Sequence, residues 1–349
     1  AMQTLYALGL EPVAEVTGDN ISFGFRPGRS AKDACEQIFC ILARKCSPKW
    51  ILEGDIKGCF DNINHEWLMN NIPMDKRVMK QFLKSGFIYK GELFPTETGS
   101  PQGGSISSIY ANMTLDGLEK LIQDKYHRNS KGNIENHYRA KTKVNLVRYA
   151  DDFIVTANSK ETAKEVKLLI SDFLKARGLE LSEEKTTIAH IDEGFDFLGW
   201  TFRKFKDKLI TKPSKNSIKT LIRKLSTIIL KEGKAHRQVD IIRRLNSIIR
   251  GWTNYHKHVV ASQTFSCINN TLYLILQKWA KHRHPNKNGW WRLNKYWHYK
   301  NGKPWLFSTE INSLINLRTI KIVRHPKLQI SRNPYIDKEY VIKRKFRLK

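Results

Sequence analysis

The sequence predicts an α+β chain in two parts: a mixed region of short strands and amphipathic helices, then a basic helical bundle. Three observations carry this. Short β-type runs such as Ile51-Leu52 and Val144–Val155 alternate with helical stripes up to about residue 204. Three broad helical patterns then follow one another. The charge divides near the same place: residues 1–200 carry 26 Lys and Arg against 27 Asp and Glu, whereas residues 201–349 carry 35 against 6, so the formal net charge of +28 lies in the C-terminal part. A one-sided positive field favours nucleic acid and, less often, an anionic membrane surface. No run approaches the roughly 18 apolar residues of a membrane-spanning helix, and the N-terminus has no signal-peptide pattern. The five cysteines form no CxxC pair and suit reduced thiols in a cytosol-like compartment.

From the N-terminus, Leu5, Leu8 and Leu10 read as the end of a helix closed by Glu11-Pro12, so sequence is expected upstream. The Gly- and Arg-rich stretch Ser22–Ser30 offers Arg26 and Arg29, which suit either a phosphate or a structural ion pair. Ser30 caps a helix over about 31–46, with Ala34, Ile38, Ile41 and Leu42 as its apolar stripe. Ile51-Leu52 and Ile56 read as a short buried strand with Asp55 at its end, where a carboxylate is costly unless paired or metal-bound. Gly58 permits a close turn, Phe60 follows, and Asp61 or Asn62 caps the helix from His65. Thr98–Ser108 is a Gly/Ser/Pro loop from which Gln102 projects, opening a helix that runs to about Gln123.

The run Val144–Val155 is the centre of the reading. Asp151 and Asp152 stand at the tip of a hairpin, where paired carboxylates can bind a hard divalent cation; an Asp-Asp turn by itself is far more often an ordinary solvated turn. An amphipathic helix over Asn158–Gly178 follows, then short strands at Leu179–Leu181 and Thr187–Ile191 around Glu183-Glu184-Lys185, then the apolar β segment Phe195–Phe202. The three basic helical stripes run Ile218–Ile229, Val239–Trp252 and Phe265–Trp279. Six tryptophans, from Trp252 to Trp305, lie in this basic part, where aromatic faces among cations suit unpaired bases as well as ordinary core. Residues 286–349 hold 16 Lys and Arg against 3 acidic residues, and this tail is expected to be only partly ordered.

Asp55, Asp151 and Asp152 thus form a candidate carboxylate trio. YADD at 149–152, DIKGCF at 55–60, SPQGG at 100–104 and FLGW at 197–200 resemble, in this order, the motifs of reverse transcriptases. GFRPGRS, LSEEKT and QGGSISSIYAN resemble those encoded by group II introns, the intron maturases, and the likeness covers nearly the whole chain. The resemblance implies a right-hand polymerase palm with partial fingers, a basic helical thumb or maturase bundle, and a basic C-terminal tail. Its domains would be 1–50 (partial fingers and palm entry), 51–204 (palm), 205–285 (thumb, or maturase domain) and 286–349 (DNA-binding-like segment and tail).

The resemblance also implies the site. Asp55, Asp151, Asp152 and the carbonyl of Ile56 would hold two Mg²⁺ ions for nucleotidyl transfer. Phe60 would be the steric gate against a ribose 2′-hydroxyl, and Gln102 would lie near the incoming deoxynucleoside triphosphate. Arg26, Arg29, Lys185, Phe197, Leu198 and Gly199 would serve primer and template, the last three as the primer grip. Partners would be group II intron RNA, a DNA target or primer and deoxynucleoside triphosphates, with no membrane; monomer and homodimer both stay open. The compartment would be a bacterial cytoplasm or an organellar matrix. Two departures matter. Family members begin earlier, with finger strands that reach the triphosphate, which argues against independent polymerase activity. Many continue into a zinc-bearing nuclease, which these cysteines do not match; the pairs His256/His258 and His282/His284 are read as RNA-facing or capping rather than zinc-binding. The competing readings are an RNA-binding splicing maturase without polymerase activity and a retron or defence-type reverse transcriptase.

Overall fold

The structure is a computed structural model that describes residues 2–89, 92–94, 98–100, 103–129, 131–135, 140–300 and 303–348. It begins with α1 (Met2–Thr17) and α2 (Ala31–Leu42), followed by β1 (Trp50–Asp55). Three short helices come next, α3 (Cys59–Asn62), α4 (His65–Asn71) and α5 (Lys76–Lys84), then the hairpin of β2 (Phe87–Tyr89) and β3 (Glu92–Phe94). α6 (Ser107–Leu115) and α7 (Leu118–Tyr126) lead to the central hairpin of β4 (Asn145–Tyr149) and β5 (Asp152–Ala157). α8 (Lys160–Lys175) and β6 (Thr187–His190) complete the mixed region.

The main sheet has the order β4-β5-β1-β6, with every neighbouring pair antiparallel. Alternation sends Leu52, Leu146, Phe153 and Val155 into one core, which Val166, Ile170 and Leu174 of α8 share. The helix keeps its stripe in place because Ser159 caps it, accepting from Thr162 N–H at 3.1 Å. The register is set by this burial: a one-residue slip would turn the whole apolar set to the opposite face of the sheet.

A three-stranded sheet follows, β7 (Phe195–Phe197), β8 (Trp200–Phe205) and β9 (Lys208–Pro213), in that order. The helices α9 (Lys215–Ser226), α10 (Gln238–His256) and α11 (Ser262–Arg283) match the three basic stripes, α9 running on into a π-type turn over Thr227–Lys231. α12 (Gly289–Tyr296) and the hairpin of β10 (Trp297–Lys300) and β11 (Lys303–Phe307) come next, and α13 (Lys338–Leu348) ends the described chain. No helix among the described residues is long and apolar enough to cross a membrane.

Two compact units result. Unit 1 comprises Ala1–Phe195, Arg203–Leu209 and Pro326–Lys349; unit 2 comprises Asp196–Phe202 and Ile210–His325. Four local expectations differ from what is observed. α1 does not end at Pro12 but runs through it to Thr17, because Glu15 in its last turn is buried against Arg26 and Arg29. The helix expected to reach Gln123 breaks at Gly117, whose φ of 94° is left-handed and leaves α6 and α7 as separate pieces. Leu179–Leu181 is not a strand; it contributes only the bridge between Ile56 and Leu181. The described residues of the tail include an anchored helix, α13, in which buried Arg344 donates to Asp33 and, at 2.6 Å, to Gly28 O.

Candidate active site

The tip of the central hairpin is built from both sides. Between Tyr149 and Asp152 the chain turns through Ala150, whose φ of 56° is unusual for a residue with a Cβ. Gly24 packs against this turn so closely that a Cβ there would sit 2.3 Å from Ala150 N, so only glycine fits. Phe23 N–H donates to Arg148 O at 2.9 Å, and Arg148 N–H to Ile21 O at 3.0 Å, which ties residues 21–24 alongside β4.

Arg148 itself is fully buried. Its guanidinium donates to Asp116 Oδ1 at 2.7 Å, to Asn112 Oδ1 at 3.2 Å and to Ala150 O at 3.4 Å. Asn112 in turn donates to Gly24 O at 2.9 Å. The Asp116 carboxyl sits at about 6, raised by burial against the opposing pull of Arg148. None of this network was expected. The signal was there, since a lone arginine inside the apolar run VNLVRYADDFIV needs a buried acid.

Asp55 and Asp152 are register partners across β1 and β5, with Asp151 adjacent. Antiparallel partners stand about 4.5–5.5 Å apart at Cα, so the sheet places these carboxylates together. Burial, then repulsion from Asp151 and Asp55, raises the Asp152 carboxyl to about 6. Lys185 Nζ donates to Asp55 Oδ2 at 2.9 Å and is itself raised by that bond. The loop carrying Lys185 is fastened to the end of β1: Lys57 N–H donates to Glu180 O at 2.9 Å, and Ser182 N–H to Asp55 O at 2.8 Å. A cavity of about 570 Å³ opens here, lined among others by Asp55, Ile56, Phe60, Asp151, Ser182 and Lys185. Among the described residues no three His, Cys, Asp or Glu side chains form a ready metal cage. The donors offered are all oxygens, which suits Mg²⁺ rather than a thiolate- or imidazole-seeking metal, and the raised Asp152 marks negative charge that a cation would relieve.

Phe60 is half-buried at the cavity edge, its ring 6.1 Å from that of Phe25. Its carbonyl accepts from Ser100 N–H at 2.7 Å, which anchors the start of the SPQGG loop; Gln102 lies outside the described residues. Of the two uses open to Arg26 and Arg29, the ion pair is the one observed. Both face Glu15, at 2.7 and 3.6 Å, and burial lowers Arg29 to about 10. Phe197, Leu198 and Gly199 form the turn from β7 to β8, with Leu198 at φ 49°. In unit 2 the Leu198 carbonyl accepts from Tyr255 OH at 2.9 Å, and Trp200 stacks on the Tyr255 ring with 4.5 Å between centroids. Lys185 is thus close to the trio, and the turn at 197–199 is fixed by α10.

Comparison with known proteins places these features. Residues 1–202 match the family of reverse transcriptases (RNA-dependent DNA polymerases), and residues 218–297 match the group II intron, maturase-specific domain. The group II intron-encoded protein LtrA of Lactococcus lactis subsp. cremoris is 30% identical, over 76% of this chain and 57% of that protein. Protein YkfC of Escherichia coli K12 is 28% identical, over 57% of this chain and 59% of its own length. Maturase-like protein 1 of Euglena gracilis is 25% identical, over 73% of this chain and 51% of its own length. The chain therefore spans little more than half the length of these relatives. Among solved structures, telomerase from Candida albicans, bound to a fragment of telomeric RNA, aligns with a TM-score of 0.44 at 14% identity, over 84% of this chain and 56% of that one.

Proposed function

This chain belongs to the group II intron-encoded reverse transcriptases and maturases, and we propose that unit 1 carries RNA-directed DNA synthesis while unit 2 binds the intron RNA. The observation that supports the first part most is that Asp55 and Asp151 line one cavity while Asp152, next to Asp151, is the register partner of Asp55. In this reading Asp55, Asp151, Asp152 and the Ile56 carbonyl hold two Mg²⁺ ions. Bound there, the metal lowers the pKa of the primer 3′-hydroxyl and neutralises charge on the triphosphate and leaving pyrophosphate.

The remaining roles belong to this chain's own groups. Asp152, raised first by burial and then by repulsion from Asp151 and Asp55, would serve as a metal ligand in its carboxylate form. Lys185 orients the Asp55 carboxylate through its 2.9 Å bond, and its charge would be available to nucleotide phosphates if a metal took that carboxylate. Phe60, backed by Phe25, closes the space beside the sugar C2′, which excludes a 2′-hydroxyl and selects deoxynucleotides. Gln102 faces template and nucleotide, and Phe197, Leu198 and Gly199 hold the primer strand.

The splicing role is supported independently, by the match to the maturase-specific domain at residues 218–297 and by the 35 Lys and Arg of residues 201–349 against 6 acidic residues. A single variant separates the two activities. Asp151→Ala is expected to abolish primer extension on an RNA template with deoxynucleotides and Mg²⁺, while intron RNA affinity stays within about twofold of wild type. Extension at the wild-type rate would refute the catalytic assignment.

A further inference from the structure

One cavity in unit 2 has no part in the catalytic roles above. A cavity of about 380 Å³ opens beside α11, between Tyr273 and the stretch from Trp305 to Arg318. Its floor includes Trp297 and Phe307, both buried, while Tyr273 and Trp305 stand 40% and 48% exposed at its mouth. Polar groups converge on the same mouth. Asn269 Oδ1 accepts from Leu317 N–H at 3.1 Å, and Asn270 Oδ1 accepts from the exposed guanidinium of Arg318. These bonds fix both carboxamides, whose NH₂ ends are the donors a base edge can accept.

Trp305 is the residue that needs explaining. Its φ of 58° is left-handed, a conformation that costs a bulky side chain about 1–2 kcal/mol. Burying the ring does not offset that cost, since about half of it faces solvent. The ring lies 6.4 Å from that of Trp290, which is 69% exposed. The charge around them is one-sided: residues 286–325 hold 8 Lys and Arg, and Glu310 is their one acidic residue. Exposed aromatic faces among cations, at the edge of a cavity in the size range of small-ligand sites, fit a polyanion with unstacked bases better than an apolar protein surface.

We infer that this cavity receives one unpaired nucleotide of a bound RNA strand, the base stacking on Trp305 beside Tyr273, its edge toward Asn269 and Asn270, and its phosphate held by Arg318. The inference rests on the reading of unit 2 as RNA-binding and gives that reading a local site. Trp305→Gly removes the ring and suits the positive φ, so the fold is kept and thermal unfolding should not weaken. With a single-stranded RNA of about a dozen nucleotides as probe, Trp305→Gly should lose affinity roughly tenfold, Trp305→Phe should recover most of it, and a fully paired RNA of equal length should bind both variants as it binds wild type. Unchanged single-strand affinity in Trp305→Gly overturns the inference, and so does an equal loss on the duplex. A loss confined to single-stranded DNA overturns the choice of RNA. Failure of the wild type to bind any RNA defeats the reading of unit 2 itself, a result distinct from the other three.

Discussion

The two units treat charge in opposite ways. Among the described residues, every buried Lys, Arg, Asp and Glu belongs to unit 1: Glu15, Asp19, Asp33, Glu36, Arg148, Lys204 and Arg344. Lys204 and Arg344 are counted in the basic half of the sequence, yet they sit in unit 1 and are buried there; Lys204 donates to Arg44 O at 2.6 Å and Ser47 Oγ at 2.8 Å. Unit 2 buries none of these residue types among its described residues and keeps its cations on the surface. Buried charges with fixed partners hold a precise geometry, which a carboxylate cluster needs. Solvated cations hold none, and adapt to a phosphate backbone.

The difference can be broken at its strongest point first. Asp151→Ala, expected to reduce cDNA synthesis by three orders of magnitude or more on the scale typical of essential catalytic groups, should leave RNA affinity near wild type. A parallel loss of RNA binding would mean that the units are not functionally separable. The next largest effect is on stability. Arg148→Met leaves the half-buried Asp116 without its ion-pair partner and should cost about 3 kcal/mol in urea unfolding. It should also loosen the Ala150 turn, so primer extension falls even at temperatures where the variant is folded. A variant as stable as wild type would show that the buried network is dispensable.

Unit 2 answers to salt rather than to geometry. Reversing several Lys and Arg between residues 215 and 244 should weaken RNA binding and flatten the dependence of log affinity on log salt, by about 0.7 for each single-strand phosphate that the variant no longer neutralises. An unchanged slope would remove the electrostatic account. The smallest effect is a pH dependence. The Asp152 carboxyl stands at about 6 in the folded chain against an ordinary value of 3.8, so the folded state binds its proton more tightly than the unfolded state does. That contribution to stability is complete below about pH 4 and is lost as pH rises through 6. Asp152→Asn should therefore flatten the metal-free stability curve between pH 4 and 6, and in the wild type saturating Mg²⁺ should cancel the loss. A curve of equal slope in the variant would assign the effect to another group.

Much of this comparison was legible in the sequence, and the exceptions share a cause. The helix at 160–175, the strand ending at Asp55 and the hairpin around Asp151 follow from patterns local to each segment. So do the three basic helices, because each stripe is written within one element. What could not be read depends on residues far apart in the chain. Pro12 gives a local stop signal, but Glu15 holds the helix beyond it through Arg26 and Arg29. The tail reads as a solvated basic run, but Arg344 reaches Asp33. The two uses of Arg26 and Arg29 look alike until the burial of their partner is known. Arg148 is the converse, a local anomaly that announces a distant acid without saying which one.

The central claim is that Asp55, Asp151 and Asp152 share divalent cations. Anomalous diffraction from crystals soaked with Mn²⁺ and a deoxynucleoside triphosphate tests it directly. The account predicts metal density within roughly 2.2 Å of carboxylate oxygens from both Asp55 and Asp151, with Lys185 displaced from Asp55. Metal density confined to other carboxylates, with the Lys185–Asp55 pair intact, would contradict it.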